Sequence, residues 1–297
     1  RNHAGHHLQV RRYLARQGLT VDCSAMNFEA IRAEQTGAVL QITLNRPEAR
    51  NAMSLKMVGE LRQALAVAEA SAGKDGAVRV VVVRGAGGHF CAGGDLKDMA
   101  GARMRAMQNT DAAQDPIAEV NAEFGQLCVD YSRTPLAVVT VLEGTVMGGG
   151  FGLACVSDVA IASDTANFRL PETSLGVVPA QIGPFLVERL GYSQARRLAV
   201  TGGRLDAHAA LGLGLVHAVT STDGLQAELD RVLTDILACA PGALAATKAL
   251  MARARFAAPQ DMVAEAAAIF SRAVQGPEGL EGTTAFIQKR KPNWALQ

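Results

Sequence analysis

Gly148-Gly149-Gly150-Phe151-Gly152-Leu153-Ala154-Cys155-Val156-Ser157-Asp158-Val159-Ala160-Ile161-Ala162 follows a largely apolar run, Leu136 to Leu142. That run reads as a buried strand. The three glycines turn the chain sharply, and Phe151 to Val156 reads as a short helix. Glycine at such a turn lets backbone approach a ligand, and the first helical turn leaves N–H groups without internal partners. With the helix dipole behind them, those amides stabilise negative charge on an oxygen. Gly149 is the candidate donor. Alone, three glycines more often make a plain tight turn, but the neighbouring motifs change that reading.

Val78 to Arg84 is a second strand-like run, broken by Gly85-Ala86-Gly87-Gly88. His89-Phe90-Cys91-Ala92-Gly93-Gly94-Asp95-Leu96-Lys97 then leads towards a helix. Two strands ending in glycine turns supply two backbone donors which, if they converge on one carbonyl oxygen, make the minimum oxyanion hole. Downstream, Asn167-Phe168-Arg169-Leu170-Pro171-Glu172 lies beyond a strand at Val159 to Ala162. A carboxylate in an apolar pocket has its pKa raised and exchanges protons near neutral pH. Without that context, a loop glutamate is usually a solvated acid.

These segments resemble, in order and spacing, the signatures of the crotonase (enoyl-CoA hydratase/isomerase) superfamily. So do Leu170-Pro171-Glu172-Thr173-Ser174-Leu175-Gly176, the opening stretch Leu44 to Met53 and the closing stretch Ala285 to Lys291. Within the superfamily the sequence looks closest to bacterial isohexenylglutaconyl-CoA and methylglutaconyl-CoA hydratases. The resemblance implies an α/β spiral of ββα units with two roughly perpendicular sheets. It implies a core over residues 26–224, a C-terminal helical trimerisation region over 225–297, and a tail, 1–25, outside the fold. The implied reaction adds water across the 2,3 double bond of an acyl-CoA thioester. A 3-branched glutaconyl-CoA from acyclic terpene or leucine catabolism is the expected substrate. The alternatives are a Δ3,Δ2-enoyl-CoA isomerase using one glutamate and a non-catalytic binding protein.

The resemblance assigns Glu172 as acid/base and the Gly94 and Gly149 amides as thioester-oxygen donors. Glu48, Ala49, Arg50, Ala92, Gly93, Asp95, Leu96 and Lys97 become coenzyme A neighbours, joined by Phe286 and by Lys289, the latter reaching across a subunit boundary. Met99, Met147, Gly152, Arg169 and Gln181 are expected in the acyl pocket, with Arg169 and Gln181 as candidates for a distal carboxylate. Two-carboxylate relatives carry a glutamate where this chain has Gly152. Its absence is expected to leave room for a branched acyl group. No cofactor is implied beyond the coenzyme A of the substrate. The expected partners are acyl-CoA and further copies, as a trimer or a dimer of trimers, in the cytoplasm.

Composition agrees. The 297 residues suffice for one large domain or a core with a helical appendage. The chain is 49% hydrophobic without a continuous apolar run of the ~20 residues that a membrane span needs. A net charge of +1 and 4% aromatics make nucleic-acid and lipid partners unattractive. Cysteines 23, 91, 128, 155 and 239 lack Cys-x-x-Cys spacing, so reduced, buried thiols are expected and a metal site is not. Residues 1–25 are rich in Arg and His and lack the apolar core of a secretion signal. His208 and His217 are expected to be structural.

Strands are expected at Phe28 to Ile31, Val39 to Leu44 and Leu215 to Val219, with a loop at Glu48 to Asn51. Ser54 is expected to cap a helix running to about Ala70. A second helix is expected over Pro116 to Arg133, with Met99, Met104 and Met107 packing on the face of a piece before it. Further helices are expected over Ala180 to Val187, Ser193 to Thr201, Asp206 to Gly212, and in four runs beyond Leu225.

Overall fold

Val80 to Gly85 (β3) and Ala137 to Leu142 (β4) are β-branched runs buried on both faces, the pattern of central parallel strands. The computed structural model describes residues 28–74, 76–108 and 115–295. In it β3 and β4 sit at the middle of a six-stranded sheet, ordered β1-β2-β3-β4-β6-β9. The other members are β1 (Ile31–Thr36), β2 (Val39–Leu44), β6 (Val159–Ser163) and β9 (Ala218–Thr220). Only β1 runs antiparallel to its neighbour. Alternate residues serve opposite faces. Val81, Val83 and Val138 enter the larger core, which also holds α1 (Leu55–Glu69). Val80, Val82, Val139, Val141 and Ile161 pack beneath α7 (Leu225–Leu237) through Leu225, Leu229, Leu233 and Leu237. Residues on both sides of position 224 thus share this second cluster.

A second sheet orders β5 (Thr145–Met147), β7 (Asn167–Arg169) and β8 (Arg204–Asp206). The remaining helices are α2 (Leu96–Gln108), α3 (Pro116–Arg133), α4 (Gly149–Val156), α5 (Gly183–Thr201), α6 (Ala207–Gly212), α8 (Pro241–Ala254), α9 (Pro259–Gln275) and α10 (Pro277–Ile287). Ser54 does cap α1, accepting from the Met57 amide at 3.2 Å, and Asp206 caps α6.

Several expectations need correction. The first strand begins at Ile31, not Phe28, because the buried Glu60 carboxylate of α1 takes the amides of Glu29, Ala30 and Ile31 at 2.9, 2.8 and 3.1 Å. Gly149, not Phe151, opens α4. The two helices expected around residue 190 are both present within α5, parted where Gly191 has φ 72° and ψ 157°, but the first begins at Gly183 and not at Ala180. The last strand is displaced to Ala218–Thr220. Pro47–Ala49 forms a 3-10 turn where a loop was expected. Met104 and Met107 project to solvent, and only Ala102 of α2 is buried. Cys239 is exposed, while Cys91 and Cys128 are buried. Residues 1–25 and Cys23 lie outside the described residues. Among the described residues no single helix is long and apolar enough to cross a membrane.

The loop after β2 is fixed by Asn51, which is fully buried at φ 56°. Its Oδ1 accepts from the Arg46 amide at 2.9 Å, and its Nδ2 donates to Ala86 and His89 carbonyls at 2.9 and 2.7 Å. Asn51→Ala strands three half-buried backbone groups. It is expected to lower unfolding free energy by about 2–4 kcal/mol, read from urea denaturation.

Candidate active site

Two chain turns meet beside the sheets. In the first, Cys91 pairs with Val146 of β5: the Cys91 amide donates to Thr145 at 3.0 Å, and the Met147 amide donates to Cys91 at 2.9 Å. The chain then pairs with Met53. The Met53 amide donates to the Gly93 carbonyl at 2.7 Å, and the Asp95 amide to the Met53 carbonyl at 2.9 Å. This parallel bridge points the Gly94 N–H away from Met53. Gly94 itself is exposed.

In the second turn Gly148, at φ 48°, donates to the Arg169 carbonyl at 3.2 Å, and Gly149 begins α4. The Gly149 amide belongs to the helical turn that has no internal acceptor. The far end of α4 is closed by Arg189, whose Nη2 donates to Ala154 and Ser157 carbonyls at 2.8 and 2.7 Å.

The turns touch through glycine. A Cβ built on Gly93 would lie 3.5 Å from the Met147 carbonyl oxygen and 3.8 Å from Gly148 Cα. One built on Gly148 would lie 3.4 Å from Gly93 Cα and 3.1 Å from Oε1 of Glu172. Three separate stretches, around residues 94, 149 and 172, thus come to one place. Glu172 opens a short 3-10 turn after Pro171 and is half-buried. Its Oε2 is buried with no protein partner among the described residues, and burial pushes its carboxyl above the usual range.

The stretch Glu48 to Arg50 lies against the first turn, since the Ala92 amide donates to the Arg50 carbonyl at 3.0 Å. Glu48, Arg50, Leu96 and Lys97 are exposed around it, and Ala92 is half-buried. Asp95 is otherwise engaged. Its carboxylate pairs with Arg46 at 2.7 Å and accepts from the Lys97 amide at 2.8 Å. Burial opposes its charge, but the Lys97 amide and the Arg46 guanidinium outweigh it and hold the carboxyl below the usual range.

Of the residues expected in the acyl pocket, Met147 lies beside the turns, in register with Arg169 across β5 and β7. Arg169 Nε is buried without a protein partner among the described residues, and Met99 is half-buried on α2. Gln181 is occupied, its Nε2 donating to Asn121 at 2.8 Å. The opening expected at Gly152 is not there. A Cβ on Gly152 would lie 2.5 Å from Ile182 Cγ2 and 3.4 Å from Phe124 Cζ, so two apolar side chains fill the space. Phe286 and Lys289 are not brought to the turns within this chain: α10 packs on α9, and Phe286 is 85% exposed. His217 is structural, as expected, exchanging hydrogen bonds with the Ala160 backbone. A cleft of about 570 Å³ lined by Arg133, Lys248 and Phe256 contains none of these residues. Sequence reading missed Met53, Phe124 and Ile182, which surround the second turn. Nothing in their local patterns marks them.

A family model described as enoyl-CoA hydratase/isomerase matches residues 34–297. A solved enoyl-CoA hydratase/isomerase from Marinobacter aquaeolei is 50% identical, with a TM-score of 0.83 over 89% of this chain and 98% of that one. The solved AtuE of Pseudomonas aeruginosa is 51% identical, with a TM-score of 0.84 over 90% of this chain and 100% of that one. A probable enoyl-CoA hydratase, echA8 of Mycobacterium tuberculosis, is 32% identical over 91% of this chain and 99% of its own length.

The raised carboxyl of Glu172 links stability to pH. Its neutral form is favoured in the fold, so its contribution is complete below the ordinary carboxylate range and is lost as pH rises through the raised value. Glu172→Gln should match the parent's melting temperature near about pH 4 and exceed it near about pH 8. At the closed position, Gly152→Ala should cost about 1–3 kcal/mol by overpacking. Combined with Ile182→Ala, its cost should fall below the sum of the two single variants, measured by urea denaturation.

Proposed function

The chain belongs to the enoyl-CoA hydratase/isomerase family, and from that premise we propose that it hydrates a 2-enoyl-CoA whose acyl group is a 3-branched glutaconyl unit. Isohexenylglutaconyl-CoA and 3-methylglutaconyl-CoA, from acyclic terpene or leucine catabolism, are the substrates in view. The observation that carries the reading is the meeting of Glu172 Oε1 with Gly148, at the junction of the two glycine turns.

In this reading the thioester oxygen accepts from the Gly94 and Gly149 amides. Glu172 takes a proton from water as the water oxygen bonds to the β-carbon. The electron pair of the double bond moves to the α-carbon and carbonyl, and the amides stabilise the resulting enolate. Glu172 then returns a proton to the α-carbon, so that one water is added and the carboxylate is restored. Each amide is worth about 2.7–4 kcal/mol of barrier in comparable sites. Arg50 and Lys97, exposed beside the first turn, are the candidates to meet coenzyme A phosphates, since Arg46 is already paired with Asp95. Arg169, whose Nε has no partner among the described residues, is the better candidate for a distal carboxylate, because Gln181 is already bonded to Asn121.

A double-bond shift is the second reading. It is favoured by the hydrocarbon at Gly152, which leaves Glu172 to move a proton between the α- and γ-carbons by itself. Self-association, as a trimer or a dimer of trimers, fits the apolar side chains Phe256, Phe270, Phe286 and Ile287 exposed on and beside α8 to α10. A cytoplasmic location fits the acyl-CoA substrate.

Purified protein should hydrate 3-methylglutaconyl-CoA or isohexenylglutaconyl-CoA faster than crotonyl-CoA and should not shift the double bond of a 3-enoyl-CoA. Glu172→Gln should lower kcat by about 10²–10⁴ with KM little changed. Isomerisation without hydration would establish the second reading instead.

A further inference from the structure

We propose that Phe124 and Ile182 are the specificity-determining side chains of this site. They form a hydrocarbon wall over the face of α4 that its glycines leave bare. The inference rests on the acyl-CoA reading above. A Cβ on Gly149 would lie 3.2 Å from both Cε2 and Cζ of the Phe124 ring and 3.8 Å from Met53 Sδ. One turn further along the helix, the Cβ position of Gly152 is met by Ile182 Cγ2 at 2.5 Å and by Phe124 Cζ at 3.4 Å. Gly149 and Gly152 contribute no side chain of their own. The surface beside the Gly149 amide is therefore supplied by α3 and by the residue that leads into α5.

The wall is also latched. Gln181, the neighbour of Ile182, donates to Asn121 on α3 at 2.8 Å. A Cβ on Gly125 would fall 2.1 Å from Gln181 Oε1. Gly125 therefore lets Gln181 lie flat on α3 beside Phe124. Ile182 is 3% exposed, whereas Phe124 stays half-buried.

An acyl chain leaving a carbonyl held at Gly149 meets carbon on this side. A carboxylate placed against it would lose its hydration with nothing to replace it. The wall selects acyl groups that are apolar where they face α3, turns any charged end away, and sets a limit on bulk there.

Phe124→Ala, Ile182→Ala and the milder Ile182→Val test this with crotonyl-CoA and trans-2-decenoyl-CoA. The reading is the ratio of their kcat/KM values, decenoyl over crotonyl, with melting temperatures recorded alongside. Removing wall atoms should raise the ratio, by about tenfold for Phe124→Ala and less for Ile182→Val. A loss of general stability would lower both values together. If the parent is active and the ratio stays within about twofold in every folded variant, the wall assignment is overturned and the catalytic reading stands. If the parent turns over neither these thioesters nor the glutaconyl esters, both fall together.

Discussion

Gly93 and Gly148 stand in van der Waals contact across the two turns. A Cβ at either would stand within 3.5 Å of the opposite turn. Both also have positive φ, at 97° and 48°. The Cys91–Val146 bridge brings the turns to this distance, and the Met53–Gly94 bridge aims the first of them. Two amides and one carboxylate share the place because backbone, and not side chain, fills it. The rest of the fold can be seen as support for this contact. The parallel strands β3 and β4 deliver the turns to one end of the sheet, and β7 delivers Glu172 beside them.

The electrostatics of the place oppose one another usefully. The amino end of α4 favours negative charge, while burial disfavours it on Glu172. The same surroundings therefore hold a carboxyl ready to exchange a proton and offer donors to an oxygen that becomes negative. Glu172 Oε2 is buried without a protein partner among the described residues, a deficit that folding must offset elsewhere.

Much of this was legible in the sequence. Val39 to Leu44 and Pro116 to Arg133 have the bounds their patterns imply, and the caps Ser54 and Asp206 act as their positions suggest. Local chemistry decides such elements. The three-residue strands β5, β7 and β8 escaped notice because each owes its extended shape to partners distant in the chain. The same holds for the site. Glycine turns announce themselves, and a glutamate after Leu-Pro invites suspicion. The side chain that closes Gly152 comes from Ile182, thirty residues on, and the ring beside it from another helix. The expected open space was therefore an inference about one residue's size, whereas the space belongs to its neighbours. Cys239, Met104 and Met107 misled for a related reason: apolar character predicts burial only where another element arrives to cover it.

The neighbours of these glycines also differ in kind. At Gly93 the nearest atoms are backbone, while at Gly152 they begin with a side-chain methyl. A change at Gly152 therefore has possible suppressors, since another residue can shrink to receive it. A change at Gly93 has none of that sort, because its φ of 97° belongs to its own backbone and no smaller neighbour relieves it. The two positions lie on different evolutionary terrain. One can drift in concert with its surroundings and reshape what the pocket accepts, while the other holds its identity for as long as the site survives.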